Sequence, residues 1–226
     1  MFVSRVALSI ILSGIGIMTH SCNAARIPAR RAVAAEDVDA SLRIVDIITC
    51  TPLDGVTGRL VMKNTPGTTT SAGSSLPDQG VPLGLVNQQL IELSSSEDSQ
   101  AFSFENCTSG FMGLTPSRNV YFGHLVLAND PNPCLVSTPG ATAPQDINTE
   151  KCRISDDSGQ MLQFWKLTLS ADGTLPASLN FVGISKRLNS SIAYKTVFEG
   201  QEGARAAQIL KATDSASSYQ INLVSN

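Results

Sequence analysis

The cysteines are the residues of this chain whose chemistry is most constrained. One of the five, Cys22, lies in an N-terminal apolar segment, and the other four are Cys50, Cys107, Cys134 and Cys152. An even set of cysteines in an exported chain is typical of disulfides, and four cysteines allow three connectivities. A zinc site is the alternative, but no Cys-x-x-Cys spacing occurs and His124 is the one histidine downstream of residue 24. We therefore expect two disulfides, no metal and no cofactor.

No arrangement of the remaining residues predicts catalysis. A catalytic triad would have to use His124, yet the chain has no Gly-x-Ser-x-Gly turn. The triplet Asp157-Ser158-Gly159 matches that of aspartic proteases, but polar residues precede it where that site needs an apolar strand. No motif in the sequence singles out a pair of carboxylates that could hydrolyse a glycosidic bond. We expect a protein that is not an enzyme, with His124 at a solvated strand position.

The N-terminal residues predict an exported chain. Arg5 precedes an apolar run over residues 6–18, and small residues lead up to Ala24. This run is shorter than the roughly 20 residues of a membrane-spanning helix. We expect a signal peptide over 1–24 and a basic pro-segment or disordered leader over 25–40, and cleavage after Ala24 or after Arg31 both remain open.

The charge of the chain excludes two classes of partner. Loss of residues 1–31 would remove four of the 16 basic residues and none of the 19 acidic ones, which leaves a formal charge of −7. Nucleic-acid binding needs a basic surface, and a peripheral membrane anchor needs a polybasic segment. We expect a secreted monomer with no nucleic-acid partner and no membrane span.

A threefold internal repeat organises residues 41–226. The segment Gly-Arg-Leu-Val at Gly58 has a counterpart at Gly123 and a weak one at Gly183. Acidic turns recur with a similar period, at Asp98, Asp157 and Asp214. Short β-type runs alternate with turn residues throughout, and the Ala-rich segment 203–211 falls where the repeat predicts strands. We therefore predict one all-β domain of three repeats of about 60 residues.

The repeat favours one of the three disulfide connectivities. Pairing Cys50 with Cys107 and Cys134 with Cys152 would place each bond within one repeat. The second bond would also close a loop short enough to lie between neighbouring strands. Two polar loops, 64–80 and 129–146, follow corresponding strands of the first two repeats.

The second repeat carries a recognisable pattern. Residues 122–165 contain Cys134-Leu135, then Cys152, then Gln163-Phe164-Trp165. This order resembles one repeat of a ricin B-type lectin. That family is a β-trefoil, in which three repeats of four strands form a six-stranded barrel capped by three hairpins. The resemblance implies a β-trefoil with three pseudo-symmetric repeats and with Trp165, Phe104 and Ile221 as corresponding core residues.

The same resemblance implies a carbohydrate-binding module with a degenerate site. In the family an aspartate commonly follows the Cys-Leu pair and binds sugar hydroxyls, whereas this chain has Val136 there. The aromatic residue that usually stacks on the sugar is missing from residues 147–151. The candidate ligand-binding residues are Asp157, Gln160, Gln163 and Tyr121. The alternative for Gln163 is a hydrogen bond to backbone at the hairpin, and that for a turn aspartate such as Asp157 is a bond to its own backbone.

Two other classes of function remain open. A β-trefoil protease inhibitor of the Kunitz soybean type would share the chain length, the two disulfides and the acidic charge, and would act through an exposed loop such as 64–80 or 129–146. A structural or effector-like secreted protein without a small ligand is the third class. The expected partners are therefore glycans or an extracellular protease. Asn106 and Asn189 match the N-glycosylation pattern.

Overall fold

The computed structural model describes residues 46–65, 76–138, 143–186, 192–212 and 219–225. The expected signal peptide and leader, Asp214, Asn189 and parts of both polar loops lie outside these residues. Among the described residues, no helix is both long and apolar enough to cross a membrane.

Thirteen strands and two short 3-10 helices occur in the described part of the chain. The strands are β1 (Thr49–Asn64), β2 (Val81–Val86), β3 (Gln89–Glu92), β4 (Ala101–Thr108), β5 (Val120–Leu127), β6 (Asp130–Val136), β7 (Gln145–Asp146), β8 (Asn148–Lys151), β9 (Trp165–Leu169), β10 (Ala177–Phe181), β11 (Ala193–Glu199), β12 (Ala206–Ala212) and β13 (Tyr219–Val224). The 3-10 helices are Ser96–Asp98 and Ser158–Leu162. The Ala-rich segment is strand β12, as the repeat predicted, whereas the expected loop 129–146 begins with strand β6 because Cys134 to Val136 are buried.

Six of the strands close into a barrel. Each is antiparallel to its neighbours in the ring β1, β4, β5, β9, β10, β13, and β13 pairs again with β1. The other long strands form three hairpins, β2–β3, β6–β8 and β11–β12. These hairpins meet each other, because β3 pairs with both β8 and β12. The chain is a β-trefoil, with units β1–β4, β5–β9 and β10–β13, and the fold prediction is confirmed.

Large apolar side chains from the fourth strand of each unit fill the barrel. Phe102, Trp165 and Ile221 are all buried, and Trp165 donates a hydrogen bond from Nε1 to the carbonyl oxygen of Leu135 at 2.9 Å. Phe104 is buried as well. The strand register nevertheless makes Phe102 the counterpart of Trp165, because Phe102 lies opposite Gly58 as Trp165 lies opposite Gly123.

Two of the recurring glycines have a common structural cause. A Cβ at Gly58 would overlap the carbonyl oxygen of Val224, and one at Gly123 would overlap that of Glu105. Both oxygens belong to the fourth strand of the preceding unit in the ring, so the barrel imposes the same close approach twice. Gly183 lies after β10, outside the strands, and the residue opposite Ile221 is Leu179.

Candidate functional site

Two disulfides lie beside strand β5, one in the first unit and one in the second. The first joins Cys50 to Cys107, which are directly opposite each other on β1 and β4. The second joins Cys134 on β6 to Cys152, which follows β8. These are the two pairs that the repeat favoured.

His124 is buried beside both disulfides, which corrects the expectation of a solvated position. The residue is 2% exposed, and a ring nitrogen lies within 4.8 Å of the sulfur atoms of each disulfide. Its ring also meets the Phe164 ring edge to face, with centroids 5.6 Å apart. Strand β5 is covered on both faces here, since Gly123 to Val126 are all buried. A strand buried on both faces does not show the alternation of polar and apolar residues on which the sequence expectation rested.

Two of the four candidate ligand-binding residues face the protein interior. The Gln160 amide donates to the carbonyl oxygens of Arg153 at 2.9 Å and Ser155 at 2.8 Å. Gln163 donates to the Arg153 carbonyl at 2.8 Å and accepts from the Arg153 N–H at 3.0 Å. Both glutamines are fully buried, so neither amide is open to a ligand.

The same contacts fix the protonation of His124. Because the Gln160 amide nitrogen faces two carbonyl oxygens, Gln160 Oε1 is an acceptor, and His124 Nε2 lies 3.0 Å from it. The imidazole therefore carries its proton on Nε2. Burial lowers the pKa of His124, while the hydrogen bond to Gln160 raises it by less. In the neutral ring, the lone pair of Nδ1 points towards Cys50 Sγ, 3.8 Å away.

The other two candidates also have structural roles. The Asp157 carboxylate caps the second 3-10 helix by accepting the Gly159 N–H at 2.7 Å, and the Ser155 hydrogen bond and this cap lower its pKa. Tyr121 packs half-buried against the barrel core. Asp157 is exposed whereas Gln160 and Gln163 are fully buried, so these candidates do not form one open site.

A different set of residues lines an open groove beside hairpin β6–β8. We call it the β6–β8 groove, and it is formed by Pro131, Asn132, Lys151, Cys152, Arg153, Ile154 and Ser155. Ile154 is 64% exposed, although its backbone is paired. That pairing is with the start of the described chain: Ile48 N–H donates to the Ile154 carbonyl at 2.9 Å.

The arginine of the β6–β8 groove, Arg153, has only a weak ion pair. The guanidinium of Arg153 lies 3.8 Å from the carboxylate of Glu150, and both side chains are about half exposed. Such exposed pairs contribute about 0 to 1 kcal/mol, so Arg153 is available to another anion. This groove was not predicted from the sequence, although Lys151 and Arg153 place two cations on either side of Cys152.

A buried core residue occupies the position at which the ricin B-type pattern has its sugar-binding aspartate. Val136 is 4% exposed and packs with Val126 and Cys134. The neighbouring Ser137 is 1% exposed, and its N–H donates to the Leu162 carbonyl at 2.9 Å. A sugar ring therefore has no access to this point of the second unit.

Comparison with known proteins adds only distant structural likenesses. No family model matches the chain, and no curated protein sequence matches it. A mutant of Gallus interleukin-1 beta is similar in structure, with 6% identity and a TM-score of 0.43, covering 78% of this chain and 99% of that chain. A hydrophobic-cavity mutant of chicken IL-1 has the same identity and coverage, with a TM-score of 0.44. These scores are too low to carry an inference, and the fold assignment rests on the closed ring of strands in the chain itself.

Proposed function

We propose that the chain is a secreted, non-enzymatic β-trefoil module that binds acidic glycans in the β6–β8 groove. The observation that carries the proposal is the composition of the groove: its lining includes the cations Lys151 and Arg153 and the exposed Ile154, together with the polar residues Asn132 and Ser155. Disulfides form and persist in oxidising compartments, which supports the secreted location.

Each group of the groove suits one part of an acidic sugar. The planar guanidinium of Arg153 matches the two oxygens of a carboxylate or sulfate, and Lys151 adds a second positive charge. The Asn132 amide donates one N–H to Asp130, and the Ser155 hydroxyl bonds the Asp157 carboxylate. The oxygen atoms of both side chains can still accept hydrogen bonds from ring hydroxyls. Ile154 offers an apolar surface to the C–H face of the ring, as ligand sites commonly do.

The position of the groove limits the entropy lost on binding. Its two sides are the start of β6 and the end of β8, which the Cys134–Cys152 disulfide joins. Cys152 N–H also donates to the Asn132 carbonyl at 2.8 Å across the base of the groove. A preorganised site loses less conformational entropy when it binds, so even a shallow groove can hold a sugar.

A glycan array tests the proposal. We expect the purified protein to bind glycans with uronic acid, sialic acid or sulfate, and to bind neutral glycans weakly. Arg153→Met should weaken binding about 10-fold or more, as for loss of a hydrogen bond to a charged group. Arg118→Met, which removes an exposed arginine from another loop, is the control and should bind normally. A blank array, or equal binding by both variants, would contradict acidic-glycan binding in this groove.

Protease inhibition is a second candidate, favoured by the loop 109–119 between β4 and β5. The Asp156 carboxylate accepts from the Ser109 hydroxyl at 2.5 Å and from the Phe111 N–H at 3.1 Å, which anchors the start of the loop. Residues 115–118 at its tip are exposed. However, Ser117 and Val120 exchange both backbone hydrogen bonds at 3.0 Å, so Arg118 lies in a tight turn rather than in the extended backbone that a protease cleft takes.

An enzyme panel separates this candidate from glycan binding. If the loop is inhibitory, the protein slows at least one serine or cysteine protease, and Arg118→Met changes that inhibition while leaving the glycan array unchanged. Full activity of every protease in the panel at high micromolar protein removes the candidate.

A further inference from the structure

Four side chains with metal-binding atoms converge beside the first disulfide. Cys50, Cys107, Glu105 and His124 each place one such atom within 4.8 Å of those of the other three. Cys50 lies opposite Cys107 across strands β1 and β4, and Glu105 lies opposite His124 across β4 and β5. The register of three barrel strands therefore holds the cluster in place, independently of any loop.

The imidazole in this cluster is oriented as metal-bound imidazoles usually are. Gln160 Oε1 accepts the Nε2–H of His124 at 3.0 Å, which leaves the lone pair of Nδ1 directed at Cys50 Sγ. Gln160 is itself held by the carbonyl oxygens of Arg153 and Ser155. A metal-bound imidazole usually donates its other N–H to a fixed acceptor in this way.

We propose that reduction of the Cys50–Cys107 disulfide converts this cluster into a tetrahedral Zn²⁺ site. Two thiolates, one imidazole and one carboxylate are ligand types that zinc takes, and four protein ligands are typical of a structural site. In the oxidised protein the two sulfur atoms are bonded to each other, so the zinc site exists only after reduction.

The conversion balances with a named reductant. A trialkylphosphine transfers two electrons to the disulfide and takes one oxygen atom from water, which gives a phosphine oxide and two thiols. Zn²⁺ then displaces the protons of the two thiols and accepts one electron pair from each sulfur, from His124 Nδ1 and from a Glu105 oxygen. No change in the oxidation state of zinc is needed.

The second disulfide is a weaker alternative for the same histidine. Cys134, Cys152 and His124 also lie within 4.8 Å of one another, but no carboxylate joins this group among the described residues. In addition, the Nδ1 atom of His124 makes its contact with Cys50. The four-ligand set is therefore the site that we assign.

Cobalt substitution tests the site in the purified protein. The protein is reduced with the phosphine, and the phosphine is then removed under anaerobic conditions. Added Co²⁺ should produce thiolate charge-transfer absorption and the visible bands of tetrahedral coordination. Zn²⁺ should abolish both at one equivalent per chain. The reduced protein must keep the circular dichroism spectrum of the oxidised β protein, or regain it when metal is added. Oxidised protein should show no signal, and a reduced protein that stays unfolded with metal overturns the proposal.

Variants identify the ligands. Glu105→Gln and His124→Gln should each weaken Zn²⁺ binding more than about 10-fold. Gln160→Leu removes the acceptor of the His124 Nε2–H, together with bonds to the Arg153 and Ser155 carbonyls, and should weaken binding about 10- to 100-fold. Glu150→Gln is the matched control, because it neutralises an exposed acid outside the cluster. Cys134→Ala/Cys152→Ala should keep the cobalt spectrum, and Cys50→Ala/Cys107→Ala should lose it. The reverse result for the two double variants, or normal affinity of Glu105→Gln and His124→Gln, overturns the assignment.

Discussion

Glu92 and Arg205 form a two-point ion pair between the first and third units of the trefoil. Arg205 Nε and Nη2 donate to different oxygens of the Glu92 carboxylate, both at 2.9 Å, and the side chains are 5% and 15% exposed for Glu92 and Arg205. The Gly203 N–H donates to the same carboxylate at 2.8 Å. The guanidinium also lies over the Phe198 ring, 4.4 Å from its centroid. The pair thus joins the hairpins that cap the barrel at β3 and β12.

Arg205→Met should lower the free energy of unfolding by about 3 kcal/mol, because it leaves the Glu92 carboxylate buried without its partner. Urea denaturation at neutral pH measures this change. Arg153→Met is the matched control, since the ion pair of Arg153 with Glu150 is exposed and 3.8 Å long; it should cost less than about 1 kcal/mol. Equal losses in the two variants would show that the buried pair does not hold the hairpins together.

Gly58→Ala and Gly123→Ala should each destabilise the barrel by about 1 to 3 kcal/mol or more, because the added methyl group overlaps a carbonyl oxygen of the neighbouring strand. Gly55→Asn is the control: Gly55 has a φ of 73°, which asparagine tolerates, and a Cβ there meets nothing within 4 Å. Thermal unfolding compares the three variants. Tolerance of alanine at both strand positions would mean that the strands separate easily at these points.

The fold was predictable where the barrel imposes the same contact on more than one unit. Gly58 and Gly123 recur because, at each position, a carbonyl oxygen of a neighbouring fourth strand lies too close to leave room for a Cβ. The third unit was misaligned because Gly183 is a glycine for another reason: a Cβ there would collide with the rings of Phe181 and Tyr194. Sequence spacing alone does not distinguish these two causes, whereas the pairing of Leu179 with Ile221 does.

The surroundings of His124 were not predictable, because contacts distant in sequence create them. Gln160 and Gln163 read as surface residues in a polar stretch, yet the 3-10 helix Ser158–Leu162 places both amides at the backbone of Arg153. A buried amide needs nearly all of its hydrogen bonds. Backbone bonding by Gln163 was an open alternative, but no local pattern identifies Arg153 as the partner or shows that Gln160 is buried as well.

The buried His124 should make the protein less stable as the pH falls. Burial lowers its pKa in the folded state, so below the ordinary value of about 6.5 the unfolded chain binds the proton more readily. The stability that the neutral ring contributes is therefore fully present above about pH 6.5 and is lost as the pH falls towards the lower folded pKa. Urea denaturation between about pH 7.5 and pH 5.5 measures the slope.

His124→Gln supplies the control for this slope. The variant lacks the titrating ring and should show a flatter stability profile over the same pH range, even if its stability is lower throughout. A ring-proton NMR titration of the wild-type protein should place the pKa of His124 below the ordinary histidine value. An unshifted or raised value would mean that the ring is hydrated and that the packing against Phe164 is loose.

Asn106 should remain unglycosylated despite its acceptor sequence. It lies in the middle of β4, opposite Thr51 on one side and Gly123 on the other, and its side-chain oxygen is buried. The next residue, Cys107, is bonded to Cys50. A glycan on this half-buried amide would crowd the neighbouring strands β1 and β5, so modification before folding should oppose closure of the barrel. Protein secreted from a eukaryotic host, deglycosylated enzymatically in heavy-oxygen water and mapped by mass spectrometry, should show Asn106 without the label. Labelled aspartate at position 106 in folded protein would mean that β4 does not lie between β1 and β5 as described.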